Sequence, residues 1–109
     1  IPTIDARRDE VYSSAFFQSN MIRKEKPEII KSESFGEHLK YNNIIIVGNG
    51  QFKCEKIIKK NKKIFFDKNI INPSSKYMPK LSYRKFINNE FEDLAYFEPR
   101  YLKEFKTNL

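Results

Sequence analysis

Ile44-Ile45-Ile46-Val47-Gly48-Asn49-Gly50-Gln51-Phe52-Lys53-Cys54-Glu55-Lys56-Ile57-Ile58 joins an apolar run to an alternating segment through a Gly-Asn-Gly turn. Ile44 to Val47 is a β-branched run that suits a buried strand. Asn49-Gly50 then supplies the strongest short hairpin signal, because a type I′ turn needs positive φ at both central residues. Beyond it Phe52 and Cys54 alternate with Lys53 and Glu55, the period of a strand. The turn Lys59-Lys60-Asn61-Lys62-Lys63 leads on to Ile64, Phe65 and Phe66. The expectation is a three-stranded antiparallel meander over 43–48, 51–58 and 63–67, with four ammonium groups in its second turn.

The same stretch has a sharper reading. An apolar strand followed by Gly-x-Gly is how a dinucleotide-binding turn begins. Here the third glycine position falls on Lys53, and the residues beyond the turn alternate rather than opening a helix. Asp67 is the nearest candidate for the acidic partner on a second strand, in the wrong setting. The hairpin reading is therefore preferred.

Working outward, Asp5 can cap a helix over about 6–23, with Val11, Tyr12, Ala15, Phe16 and Ile22 on one face. Asp9 and Glu10 near its start and Arg23 and Lys24 near its end match the helix dipole. Pro27 breaks that helix and can open a short second one ending near Phe35-Gly36. Asn69 to Pro79 reads as irregular. Ser82 can cap a helix with Tyr83, Ile87, Phe91 and Leu94 as its stripe; Pro99 ends it and can start a last helix carrying Leu102 and Phe105. The fold expected is α+β: a small three-stranded antiparallel meander flanked by an N-terminal helix and one or two C-terminal helices. Residues 1–109 form a single small domain with irregular, partner-ordered segments, and Pro27 and Pro73 mark hinges.

Composition narrows the function. The 109 residues are 39% hydrophobic, with ten Phe and six Tyr supplying much of the apolar mass, so the core is thin. No apolar run approaches the roughly twenty residues of a spanning helix. One cysteine, Cys54, permits no internal disulfide and fits a reducing compartment such as the cytosol, nucleus or an organelle interior. It reads as a half-buried strand residue rather than a nucleophile. One histidine, His38, reads as a surface loop residue, since no nucleophile stands near it in sequence. One Cys and one His cannot assemble a zinc site, and Glu90, Glu92 and Asp93 read as the wet side of the C-terminal helix. No enzyme chemistry converges and no cofactor is implied. The chain opens at Ile1 rather than Met, the mark of a processed chain or fragment, and no secretory signal is visible.

Charge is unevenly placed. Residues 1–50 are neutral, with seven basic and seven acidic groups. Residues 51–85 carry Lys53, Lys56, Lys59, Lys60, Lys62, Lys63, Lys68, Lys76, Lys80, Arg84 and Lys85 against only Glu55 and Asp67, a net +9. Such a concentration is self-repelling unless something anionic lies against it. Lysines on phosphates would bind steeply with salt and with little regard to sequence. The paired aromatic motif of RNA-recognition sheets is absent, and Phe52 with at least one of Phe65 and Phe66 is assigned to the core. Tyr77 and Tyr83 are freer to meet a partner. The expectation is a non-enzymatic structural subunit of a ribosome-like ribonucleoprotein in a mitochondrial or other organellar interior. Its central basic segment binds RNA phosphates and its neutral N-terminus meets neighbouring proteins. The alternative is an accessory subunit of a mitochondrial, respiratory-type membrane protein complex, its basic face over acidic lipid or protein.

Overall fold

The computed structural model describes residues 1–41 and 43–104. It is a mixed α+β structure containing a three-stranded antiparallel sheet. The chain divides into two compact units, Ile1–Asn72 and a second beginning at Pro73, one of the two expected hinge prolines.

In the first unit the antiparallel sheet lies where a helix was expected. Residues 6–23 are not helical: β1 (Thr3–Asp5), β2 (Glu10–Phe17) and β3 (Asn20–Ile29) form a sheet in the order β1-β2-β3. Phe17 pairs with Asn20, so β2 and β3 are joined through Gln18 and Ser19 alone. Both have positive φ, 48° and 67°, which is the requirement of a type I′ turn met without Asn-Gly. Val11, Ser13 and Ala15 are buried, but the pairing shifts between Ser13 and Ala15 and again before Phe16. This bulge breaks the inside-outside alternation, leaving apolar spacings that mimic a helix. Pro27 begins no helix either. It sits in β3, an edge strand, where its missing N–H is tolerated.

The stretch 44–66 is a crossover, not a meander. β4 (Ile44–Ile46) and β5 (Ile64–Phe66) pair in parallel, Ile45 opposite Phe65, and α1 (Gln51–Ile57) connects them. Parallel neighbours cannot be joined by a hairpin and need such a crossover. The buried residues Gln51, Cys54 and Ile58 are spaced three and four apart, the helical period. Phe52 is 39% exposed rather than a core residue, Phe65 is exposed, and Phe66 packs on the margin of the core.

Contact with β1 explains why Asn49-Gly50 does not turn a hairpin. The Thr3 N–H and hydroxyl both donate to the Val47 carbonyl, at 2.8 and 2.7 Å, and Asp5 N–H donates to Asn49 Oδ1 at 2.8 Å. Gly48 has φ +91°, and a Cβ there would lie 1.9 Å from the Thr3 carbonyl oxygen. A Cβ on Gly50 would meet the Thr3 side chain at 2.9 Å. Only glycine lets the two backbones approach this closely. The fully buried Gln51 closes the turn: its Nε2 lies 3.0 Å from the carbonyls of Gly48, Asp67 and Ile70. With two hydrogens for three acceptors, one N–H is shared.

Val11, Ile30, Phe35, Ile44, Ile46, Cys54 and Ile58 form the core, with Leu39, Ile57, Ile64 and Phe66 against it. The expected helix ending near Phe35 is replaced by a turn that inserts this ring. Phe35 has φ 66° and is fully buried. The left-handed backbone costs about 1–2 kcal/mol, which burial of the ring, worth roughly 1.5–3 kcal/mol, offsets. A short 3-10 helix, Gly36–Tyr41, comes next.

In the second unit a 3-10 turn, Ser75–Tyr77, runs into α2 (Met78–Ile87). Pro79 occupies the first turn of α2, so it opens the helix expected to start only at Ser82. The helix stops before Phe91 and Leu94. Asn89 (φ 56°) donates to the Phe86 carbonyl and Glu90 N–H to that of Lys85, a Schellman end with Asn in the usual glycine place. No helix follows Pro99 among the described residues, and Phe105 lies outside them. No helix of the described residues is long and apolar enough to cross a membrane.

Gly48→Ala is expected to destabilise the first unit by roughly 2–4 kcal/mol. Gly36→Ala, with nothing within 4 Å of the added carbon, stays within about 0.5 kcal/mol. Urea midpoints of the two variants check this; equal midpoints contradict the close approach of β1 to the turn.

Candidate nucleic-acid interface

The eleven cations expected to form one basic segment fall into two sets. Lys53, Lys56, Lys59, Lys60, Lys62, Lys63 and Lys68 belong to the first unit; Lys76, Lys80, Arg84 and Lys85 belong to the second.

Lys53 is turned inward. Its ammonium donates to Asp5 Oδ1 at 2.9 Å and to the Glu10 carbonyl at 2.8 Å, and its side chain is only 13% exposed. It fastens α1 to the β1–β2 connection, and the hydrogen bond it gives Asp5 holds that carboxyl below the usual carboxylate range. Lys53 therefore serves the fold rather than an anionic surface, a correction to its expected role. Lys68 pairs with Glu55 at 2.9 Å, both exposed; such a pair contributes little and exchanges readily.

Lys56, Lys59, Lys60, Lys62 and Lys63 are exposed, and none has an ion pair among the described residues. Residues 1–72 hold fourteen basic and nine acidic groups, a net +5. The loop holding four of these lysines is braced by its backbone. Lys59 N–H donates to the Ser32 carbonyl at 3.0 Å, Lys63 N–H to Asn61 Oδ1 at 2.9 Å, and Ile44 N–H to the Lys63 carbonyl at 2.7 Å. The ammonium groups thus ride on flexible stems above a fixed chain path. Beside them Ile58, Ile64 and Phe66 floor a groove of about 520 Å³ rimmed by Glu55, Lys59, Lys60, Asn61 and Lys62.

In the second unit Lys80 and Arg84 lie one turn apart on α2. The Lys76 ammonium sits 4.9 Å over the Tyr77 ring, and Lys85 lies 4.0 Å from Glu92. Tyr77 and Tyr83 are exposed.

The Gly-x-Gly turn has the strand–turn–helix order that a phosphate-binding turn shares, yet it is filled from within. Gly50 N–H faces the Thr3 carbonyl at 3.4 Å, and Thr3 occupies the space beside both glycines. Helix α1 has seven residues, too short for a useful dipole at that end.

Cys54, Arg23 and His38 are all largely buried in the first unit. Cys54 is fully buried, on a helix rather than a strand, and burial pushes its thiol up to about 12; it stays protonated and inert. Arg23 donates to Ser13 Oγ at 2.9 Å, lies 3.3 Å from Glu28, and stands over the Phe35 ring at 5.7 Å. His38 is not a surface residue: its side chain is 11% exposed within the 3-10 helix. Burial lowers its pKa, opposed by Glu37 and reinforced by Arg23. Among the described residues no group of three or more His, Cys, Asp or Glu could hold a metal ion.

Because burial lowers the His38 pKa in the fold, its contribution is fully present above the ordinary value of about 6.5 and is lost as pH falls below it. The thermal midpoint is expected to fall between about pH 7.5 and 5, and His38→Gln to flatten that slope. An unchanged slope in the variant contradicts the assignment. The Cys54 thiol is expected to react with a thiol reagent only at the rate of unfolding; rapid labelling of native protein contradicts its burial.

No protein-family model, curated protein or solved structure matches this chain.

Proposed function

We propose that this chain is a non-enzymatic structural subunit of a ribosome-like ribonucleoprotein, and that it binds RNA phosphates through Lys56, Lys59, Lys60, Lys62 and Lys63. One observation carries the reading: five exposed ammonium groups, none in an ion pair among the described residues, follow one another from the end of α1 through the braced loop before β5. A polyphosphate matches that array because each contact releases a condensed counterion and asks for no base-specific geometry. Lys80 and Arg84 on α2 add a second basic element that can lie along RNA. The apolar side chains left exposed in the second unit, among them Leu81, Phe86, Phe91 and Leu94, suit neighbouring protein subunits. An organellar interior is the proposed setting.

Those same apolar side chains support a second reading, an accessory subunit of a mitochondrial, respiratory-type membrane protein complex. That reading predicts copurification with membrane proteins and indifference to ribonuclease.

Binding of the full chain to structured RNA is expected to weaken steeply between about 50 and 200 mM salt. Replacing Lys59, Lys60, Lys62 and Lys63 together by glutamine is expected to reduce the log–log salt slope by about 0.7–0.9 for each phosphate no longer neutralised. The thermal midpoint should change little, since these ammonium groups hold nothing in the fold. Affinity that is indifferent to salt, or unaltered in the quadruple variant, overturns the proposal.

A further inference from the structure

The groove beside the lysine loop is a poor match for an uninterrupted RNA duplex. A duplex backbone presents sugar and phosphate, and neither would occupy a floor made of Ile58, Ile64 and Phe66. The rim is a different matter: Lys59, Lys60 and Lys62 present cations at the mouth of an apolar recess, and the one carboxylate on it, Glu55, is paired with Lys68 at 2.9 Å. Such a site calls for a ligand with an anionic edge and a flat, apolar body. Its volume of about 520 Å³ falls within the range of small-ligand sites.

We infer that the groove takes one unpaired nucleotide of RNA, its base against Phe66 and its flanking phosphates on Lys59, Lys60 and Lys62. This rests on the proposed binding of RNA phosphates and adds a preference within it, for bulged or single-stranded positions. Three features of the groove agree. Phe66 lies at the margin of the core, so one part of the ring is held while the rest lines the groove. Every base has a π-face, so a ring fixed in this way accepts any of them. Asn61 accepts the Lys63 N–H through Oδ1 at 2.9 Å, which orients the amide and leaves its NH2 end to donate to an acceptor on the base edge. The Asn61 carbonyl accepts Ile64 N–H at 3.1 Å and Lys59 N–H is tied to Ser32, so the walls are formed before any ligand arrives.

The test uses the full chain and two RNA hairpins of equal length, one fully paired and one with a single bulged 2-aminopurine in its stem. The bulged hairpin is expected to bind about fivefold tighter or more, with its fluorescence quenched on binding. Phe66→Leu, which keeps an apolar side chain but removes the π-face, is expected to lose both the preference and the quench while retaining the salt dependence. Equal affinity for the two hairpins without quenching overturns the nucleotide site and leaves phosphate binding by the lysines intact. Failure to bind either hairpin at low salt overturns both. Should Phe66→Leu not fold, the comparison of hairpins on the unaltered chain decides alone.

Discussion

The first unit depends on the approach of β1 to the turn between β4 and α1. Thr3 lies so close to Gly48 and Gly50 that neither position can carry a side chain, and its N–H and hydroxyl both end on Val47. The buried Gln51 amide then ties this turn to the carbonyls of Asp67 and Ile70, after β5. Each of the three carbonyls also accepts a backbone N–H, so the amide gives each a second bond and cross-links the turn to the chain after β5. With α1 held at its start by Gln51 and along its length by Lys53, its C-terminal end and the lysine loop beyond it emerge at a defined place. The basic display is a consequence of that clamp.

The cations of this chain divide according to whether the fold has already used them. Lys53 and Arg23 are largely buried and bonded to Asp5, Glu10, Ser13 and Glu28. The lysines from Lys56 to Lys63 carry no such duty. In water their mutual repulsion is modest and screened within about 8–10 Å at physiological ionic strength, so the unit tolerates them unpaired. A charge count along the sequence cannot make this distinction, since Lys53 and Lys56 differ only in which side of a helix they occupy.

Much of the architecture was hidden by short range. The α+β class, the strands at 44–46 and 64–66, the lysine turn and a helix across 82–87 are all readable from β-branched runs, turn residues and apolar spacing. The crossover was not, because over seven residues Phe52 and Cys54 satisfy period two as well as Gln51, Cys54 and Ile58 satisfy the helical period. Only the burial of a glutamine decides between them, and it comes from carbonyls distant in sequence. The N-terminal sheet was obscured for two reasons. A bulge at Ser13–Phe16 disrupts alternation, and the tight turn uses Gln18-Ser19, residues that seldom accept positive φ. The true Asn-Gly pair, meanwhile, serves a helix start. Of the candidate interface, the loop lysines were legible as a cluster; the inward turn of Lys53 and the groove behind the loop required tertiary contacts.

Amine-reactive footprinting of the native assembly, before and after ribonuclease, reads the state of each loop lysine. The account predicts that Lys59, Lys60, Lys62 and Lys63 are protected in the assembly and become reactive once RNA is digested, while Lys53 stays unreactive in both. Equal labelling of the four loop lysines with and without the nuclease would contradict it.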